Sequence, residues 1–395
     1  MDERPDADAR AFWALAAFGT AVTALGLGAA HVMEERGHVV TGMDNQVAWG
    51  LPHVFAIFLI VAASGVLNVA SVGSVFGQAA YKARGRLAGL LSMAMLAGGL
   101  MVLMLDLGRP ERVIVAATNY NFRSMFAWNV LLYGGLAAVV ALYLWTMFER
   151  RFNAWSRPAG IAVLVWRFVL TAGTGSIFAF LVARQAWGSA LLPPLFIVMS
   201  FSWGMAVFLV VQAALYGWNR RTLDPAVGRR LARLLGIFVA ASLFLVAVQH
   251  LTGSYFAKQQ AFQAFVLLGQ GGGGVFALLF WGGYVGLGSL LPLVLLLHPR
   301  PGGARATTAA AALVVLSAFA WLYVFIVGGQ AFPLDIFPGH VASSSFADGA
   351  VTAYVPSVWE LGLGVGGLGA AYLLTVVGVR VLDFMPQDDL PAVRR

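Results

Sequence analysis

The chain of 395 residues contains no cysteine. This absence excludes disulfide bonds, iron–sulfur clusters held by thiolates, and the CxxCH motif that attaches haem covalently. The sequence also lacks the GxxxxGK[ST] loop that binds nucleotide phosphates, which argues against transport driven by ATP. A protein of this composition that handles electrons must therefore receive them from a partner subunit.

Charged residues are also scarce. They make up 11% of the sequence, hydrophobic residues make up 60%, and the mean hydropathy is +0.82. A soluble domain of this length could not bury so much apolar surface, so a lipid bilayer must be its solvent. No signal peptide is evident. The start Met1-Asp2-Glu3-Arg4 lacks a basic n-region, and the first apolar run is long enough to remain as a span.

Ten apolar segments are long enough to cross a bilayer as helices. They cover residues 11–33, 48–76, 86–105, 125–148, 159–183, 191–217, 232–253, 264–297, 306–330 and 353–382. The sequence therefore predicts an all-α integral membrane protein with about ten transmembrane helices in a bundle. We expect a single domain over 1–395, with a core near 11–382 and short tails.

Positive charge is distributed unequally between the loops. The side with both termini carries 18 Lys and Arg, the other side carries 6, and Arg167 lies inside a span. By the positive-inside rule both termini are cytoplasmic and the odd-numbered loops face outward. The net charge of +8 would suggest nucleic acid for a soluble protein. In short cytoplasmic loops it instead indicates topology and contact with anionic lipid, so we expect no nucleic-acid partner.

Two loop regions have unusual composition. The ninth loop, residues 331–352, is long and contains prolines and glycines that disfavour regular structure. With the third loop, it is a candidate docking surface for another protein. Four consecutive glycines at 271–274 either permit close helix contact or break the helix beside a cavity, and we favour close contact.

Polar residues near the outer ends of the spans are the candidate site, because ionisable groups in a membrane usually line a cavity or pair. The candidates are His31, His53, Asp106, Arg109, Asn129, Tyr133, His250 and Glu360. Five of them come from three helices at one depth: His31, Asp106, Arg109, Asn129 and Tyr133. This convergence predicts a polar pocket near the outer, periplasmic face, with no metal site.

Structural roles compete with this interpretation. Asp106 and Arg109, spaced i,i+3, can form a local salt bridge, and for that pair alone we favour structure. A lone interfacial histidine such as His53 is more often a hydrogen-bonded anchor than a ligand. Glu360 can simply bond a neighbouring helix. The prediction of a pocket therefore depends on the whole set.

Quinone chemistry suits such a pocket, because a quinone needs hydrogen-bond partners for its oxygens, a proton-exchanging group and an apolar cleft. Histidine titrates nearest neutral pH, so we assign proton exchange to His31. Asp106 would relay protons to the outer aqueous phase. Asn129 or Tyr133 would bind the second oxygen.

Three motifs carry a resemblance to a known family. They are His31, the run AspLeuGlyArgProGluArg at 106–112, and TyrValProSerValTrpGlu at 354–360. On these residues the sequence resembles the NrfD/polysulfide reductase membrane-subunit family. Residues 37–53 and 337–349 are similar to the membrane subunit, DsrP, of the sulfite reductase-linked DsrMKJOP complex.

The resemblance implies a membrane subunit with no haem or cluster of its own, which is not catalytic alone. It would exchange electrons between the menaquinone or ubiquinone pool and a periplasmic ferredoxin-like iron–sulfur subunit. The setting would be a respiratory complex of dissimilatory sulfur metabolism in a bacterial inner membrane, with a multihaem cytochrome c and other membrane subunits.

The resemblance also places a first-span histidine and a fourth-span tyrosine or asparagine near the quinone head group. His31 matches the first, and Tyr120, Asn129 and Tyr133 are all candidates for the second. Some relatives are proposed to move protons. The polar groups available for that in the inner half are Arg167, Asn68 and Gln212, with few carboxylates.

Two other functional classes compete with a quinone-reactive subunit. A secondary transporter would suit ten spans with buried polar groups, but no internal repeat is visible. A di-haem cytochrome b would use His31, His53 and His250 as axial ligands. The histidines lie toward one face without a matched pair, which disfavours haem, and a Soret band in the visible spectrum would reveal it.

Overall fold

The computed structural model describes residues 4–75, 77–219, 221–297, 303–334, 349–382 and 384. Within these ranges, ten helices are long and apolar enough to cross a membrane and no β-strand forms, which confirms the predicted all-α membrane fold. His298, His340 and most of the predicted ninth loop lie outside the described residues.

The membrane helices follow one another along the whole sequence. They are α1 (Arg4–Arg36), α2 (Leu51–Ser74), α3 (Gly85–Leu105), α4 (Met125–Phe148), α5 (Ser156–Ala179), α6 (Leu192–Trp218), α7 (Pro225–Tyr255), α8 (Gly274–Leu297), α9 (Gly303–Ala331) and α10 (Val358–Val381). Short helical turns occupy several loops, including His38–Val40, Pro110–Arg112, Val113–Thr118 and Gln260–Leu268.

Contacts between the ends of neighbouring helices define two faces of the bundle. On one face, the start of α2 meets the end of α3 through His53 and Asp106. On the opposite face, the start of α3 meets the end of α4, where Arg86 donates to the Met147 carbonyl at 2.9 Å. We call these the His53 face and the Phe148 face.

Helix α2 lies at the centre of the bundle. Its most apolar stretch is completely buried, and it packs against α3, α5, α6 and α10. A Cβ atom at Gly65 would overlap the Ser200 carbonyl, and one at Gly204 would overlap the backbone of Gly65. Since lipid provides no hydrophobic force between helices, such close backbone packing drives their association.

The start of the eighth span differs from the prediction of one helix over 264–297. The short helix Gln260–Leu268 ends at Gly269, and α8 begins only at Gly274. Gly269 and Gly271 have φ of 69° and 59°, a conformation that glycine adopts without steric cost and that ends a right-handed helix. The preference for close contact was therefore incomplete: Gly273 does approach the Phe265 carbonyl closely, but the glycines also break the helix.

Candidate functional site

His53 and Asp106 form the most distinctive polar contact of the His53 face. His53 lies in the first turn of α2, and Asp106 directly follows α3. His53 Nδ1 is 2.8 Å from Asp106 Oδ2, and the two side chains are 14% and 1% exposed. The pair has the distance of an ion pair but not the angles of a hydrogen bond, and within the described residues both Asp106 oxygens lack a hydrogen-bond donor. The carboxylate therefore keeps free capacity for a proton or a ligand.

One tryptophan ring lies on the histidine of this pair, and three further aromatic rings contact that tryptophan; we call these four rings the aromatic enclosure. Trp49 stacks on His53 with 5.8 Å between ring centroids, and on Trp187 with 5.7 Å. Phe126 and Phe178 also lie 5.7 Å from the Trp49 ring. Phe126 is 47% exposed, so the aromatic enclosure extends from the buried pair to the surface of the protein.

A network of backbone contacts fixes the position of Trp49. The Gln330 side chain accepts a hydrogen bond from the Trp49 amide at 3.0 Å and donates to the Trp49 carbonyl at 2.9 Å. Arg184 donates to the carbonyls of Gln330 and Gln46, at 2.7 and 2.8 Å. Burial lowers the pKa of Arg184, and the charge of Asp44 acts in the opposite direction. Arg184 and Gln330, from two distant segments, thus hold the loop that carries Trp49 in place.

Glu360 is buried at the start of α10, where its carboxylate accepts hydrogen bonds from two backbone amides. With Ser357 it forms a capping box, each side chain accepting from the other residue's amide. The Gly42 amide donates to Glu360 Oε2 at 2.8 Å, and the Tyr354 hydroxyl donates to Oε1 at 2.5 Å. Both oxygens already have partners, so the contacts of Glu360 are those of a structural tie between the first loop and α10.

Asn129 and Tyr133 lie about one turn apart on α4, on the side that faces α5. Asn129 donates to the carbonyls of Met125 and Gly173, at 2.8 and 3.2 Å. Thr174 donates to Asn129 Oδ1 at 3.4 Å, and the Tyr133 hydroxyl also meets Thr174. Both side chains are buried. Asn129 and Tyr133 therefore form a second polar cluster, joined through Thr174.

His31 and Arg109 lie on the protein surface. His31 pairs with Glu35 one turn further along α1, at 3.2 Å, and both side chains are 66% exposed. Arg109 is exposed, and no ion pair between it and Asp106 occurs in the part of the protein that the structure describes. The structure thus pairs Asp106 with His53, and it brings neither His31 nor Arg109 into that contact.

His250 lies in a different part of the His53 face. Its Nδ1 is 2.7 Å from Gln263 Oε1, and its ring packs edge-on against Phe280. A cavity of about 20 Å³ adjoins His250, lined mainly by apolar side chains together with Gln249 and Gln263. That volume can hold one water molecule, which is far smaller than a quinone head group.

Residues that the sequence patterns did not single out complete the site. Trp49, Gln330 and Arg184 are separated by more than a hundred residues, and no motif links them. The only available indication was Trp49, which lies in the segment 37–53 that carried part of the family resemblance. Gln330 gave no sequence pattern, because its role depends on how α9 packs beside the first loop.

Comparison with known proteins identifies the relatives of this protein. Residues 39–334 match the family model described as polysulphide reductase, NrfD. The sequence is 30% identical over 386 residues to the Hdr-like menaquinol oxidoreductase integral membrane subunit of Archaeoglobus fulgidus, with 97% of this protein and 96% of that one covered. It is 25% identical over 311 residues to a chain of the polysulfide reductase of Wolinella succinogenes, with 73% and 96% covered.

A third relative is a putative dimethyl sulfoxide reductase membrane subunit of Halobacterium salinarum, 29% identical over 395 aligned positions, with 91% and 88% of the two proteins covered. The segment matched by the family model contains His53, Asp106, Asn129, Tyr133 and His250. It does not contain His31 or Glu360. The aromatic enclosure and the His53–Asp106 pair thus lie within the region common to the family.

Proposed function

The chain belongs to the NrfD-type polysulphide reductase family, and from this premise we propose that it is the quinol-interacting membrane subunit of an electron-transfer complex. The relatives support the proposal, since one is named a menaquinol oxidoreductase membrane subunit and another is named as part of a polysulfide reductase. We place the quinol at the His53–Asp106 pair.

The observation that carries this proposal is a buried carboxylate to which no described residue donates a hydrogen bond, next to a histidine beneath a tryptophan ring. Such a site offers polar atoms for the head group at the end of an aromatic enclosure. The exposed Phe126 extends that enclosure to the surface of the protein, where an isoprenoid tail would lie. The residues present therefore fit a quinone better than a small polar solute.

Proton exchange is the chemistry that the protein's own residues would perform. A bound quinol supplies two electrons and two protons when it is oxidised. Asp106 faces His53 Nδ1, which leaves Nε2 as the nitrogen that would accept a proton from a ligand hydroxyl. The free oxygen of Asp106 would pass that proton on. Trp49 would hold the imidazole plane and exclude bulk water.

The sequence led us to assign proton exchange to His31, and the geometry leads us to assign it to His53. The electrons would pass to an iron–sulfur subunit docked on the His53 face. We further propose that this face is periplasmic in a bacterial inner membrane, and that a multihaem cytochrome c and a sulfur compound belong to the same complex. Asn129 and Tyr133 would contact the far side of the head group.

The test compares three forms of the assembled complex: His53→Gln, His31→Ala and the wild type. Loss of a general acid–base group typically lowers a rate by about 10²–10⁴-fold, so we expect that loss in quinol-dependent electron transfer for His53→Gln. The His31→Ala variant should retain the wild-type rate, because the His31 side chain is 66% exposed and pairs with Glu35 on the same helix.

Binding of a photoreactive quinone to the purified protein provides an independent readout. Labelled peptides should contain residues around Trp49 or Asp106. Full activity of His53→Gln together with a large loss in His31→Ala would return the proton-exchanging role to the first span.

A further inference from the structure

Arg167 is a cation placed near the midpoint of α5, Ser156–Ala179. A rise of 1.5 Å per residue puts it about 16–18 Å from either end of that helix. The residue is 3% exposed, so its charge is buried in the bundle. A charged side chain at this depth is costly and therefore calls for a functional explanation.

The neighbours of Arg167 are neutral. Its Nη1 donates to Asn68 Oδ1 at 2.6 Å and to the Ser64 carbonyl at 3.4 Å. The guanidinium also lies over the rings of Phe168 and Phe201, at 4.9 and 5.5 Å from their centroids. Across the described ranges of the sequence, no carboxylate forms an ion pair with it. The positive charge is thus solvated by dipoles and ring faces but not neutralised.

Among the residues that the structure describes, carboxylates are missing from the central layer of the bundle. Each described Asp or Glu lies in a loop or near an end of one of the helices α1–α10. The described histidines also lie near helix ends or outside the helices. Proton relays through membranes are built from acidic and histidine side chains. Arginine cannot replace them, because it does not release its proton in proteins.

Polar groups nevertheless approach Arg167 from both faces. Toward the His53 face, Thr171 donates to the Arg167 carbonyl at 2.6 Å. Thr174, further along α5, donates to Asn129 on α4. Toward the Phe148 face, Asn68 Nδ2 is buried without a partner in the described structure, and Ser71 follows one turn further along α2. We call these polar residues of α2, α4 and α5 the polar file; they lie on both sides of the cation along the bundle.

We propose that Arg167 is an electrostatic barrier that stops protons from crossing the membrane along this polar file. A fixed positive charge in a low-dielectric interior repels hydronium strongly. Positive groups exclude protons and cations in the same way in water-conducting pores. Protons set free on the His53 face would therefore stay on that side. The barrier needs no quinol, so it stands or fails independently of the proposed function.

The test measures passive proton permeability of the purified full-length protein in liposomes. A potassium diffusion potential set with valinomycin drives protons inward, and an enclosed dye reports the pH. Arg167→Met removes the charge and should raise the proton permeability about tenfold or more, given the Coulomb energy of a nearby unit charge. Arg167→Gln removes the charge but keeps a polar side chain, and it should raise the permeability as Arg167→Met does.

A second variant keeps the arginine and cancels its charge in place. Asn68→Asp puts a carboxylate where Nη1 already donates, and it should raise proton permeability as Arg167→Met does. Ser202→Ala is the control. This residue is buried in α6, and its hydroxyl lies 3.1 Å from that of Ser242, away from the polar file. Replacing it removes polarity without charge and should leave the permeability unchanged.

Two results would overturn the barrier. The first is wild-type permeability in both Arg167→Met and Asn68→Asp. The second is a leak in the control variant as large as in Arg167→Met, since the loss of a buried polar group, and not of charge, would then be responsible. Melting temperatures of all variants in detergent verify that folded proteins are compared.

Discussion

Asp106 shows how far the sequence predicts an individual contact. Its importance was predictable, because a carboxylate at the end of an apolar span must find a partner. The partner predicted from sequence spacing was Arg109, three residues away, but the structure provides His53. The end of α3 and the start of α2 lie at one level because the two helices are antiparallel neighbours. That level depends on the exact ends of both helices, which an apolar pattern locates only to within a few residues.

Tyr354 is the residue at which a pH dependence is expected. Its hydroxyl accepts from the Leu51 amide at 2.7 Å and donates to Glu360. Burial, followed by the interaction with Glu360, raises the pKa of Tyr354 above its usual value of 10.0. In the unfolded state the hydroxyl ionises at about its usual pKa, so the stabilisation is complete below that pH and is lost as the pH rises above it.

We therefore predict that the melting temperature of the wild type falls more steeply above pH 10 than that of Tyr354→Phe. At neutral pH the variant should be less stable by about 1–3 kcal/mol, because the Leu51 amide and the Glu360 carboxylate lose a partner. Tyr255→Phe, at a position 83% exposed, serves as the control. Parallel curves for wild type and Tyr354→Phe in alkaline solution would contradict the prediction.

The turn after α3 is the element on which the geometry of the site depends. It contains Gly108 with φ of 68°, between Asp106 and the short helix that begins at Pro110. A Cβ at Gly108 would lie 2.9 Å from His38 Nε2. The turn therefore requires glycine for two reasons, backbone conformation and the packing of the first loop against it.

Gly108→Ala should destabilise the protein by more than the roughly 1–2 kcal/mol that a left-handed residue costs. Gly271 is a suitable comparison, since its φ of 59° and ψ of 28° are left-handed and no described atom lies within 4 Å of its Cβ position. Gly271→Ala should cost the conformational part alone. Thermal unfolding of both variants in detergent measures the difference, and equal losses would argue against the His38 contact.

The sequence predicts well which segments form membrane helices, but it does not predict where a helix is interrupted. Nine of the ten apolar segments became membrane helices with ends shifted by at most seven residues, because twenty consecutive apolar residues leave little choice of structure in a bilayer. The four glycines before α8 suit both a close helix contact and a turn, so the sequence does not reveal that the helix breaks there. In α8 and α9 the segments Leu279–Leu290 and Tyr323–Gly328 form wide π-helical turns, which no periodicity in the sequence announces.

At the scale of the whole molecule, the even number of helices places both ends of the bundle on the Phe148 face. The charge difference of 18 against 6 predicts that this face is cytoplasmic. A reporter fused after Arg395 should therefore be active only if it is one that works in the cytoplasm. A fusion after Asn121, in the third loop, should behave in the opposite way. Activity of a periplasm-dependent reporter at Arg395 would reverse the assignment of both faces.

The tie between Gly42 and Glu360 has a consequence for how the protein is made. The two residues are 318 positions apart, yet the amide of one contacts the carboxylate of the other. At typical rates of synthesis the ribosome needs on the order of tens of seconds to travel between them. During that interval the first loop, which carries Trp49, lacks the anchors that Gln330 and Glu360 later supply. A partner protein that recognises the His53 face with its first loop anchored would consequently bind full-length polypeptides and would not bind polypeptides truncated before Gln330.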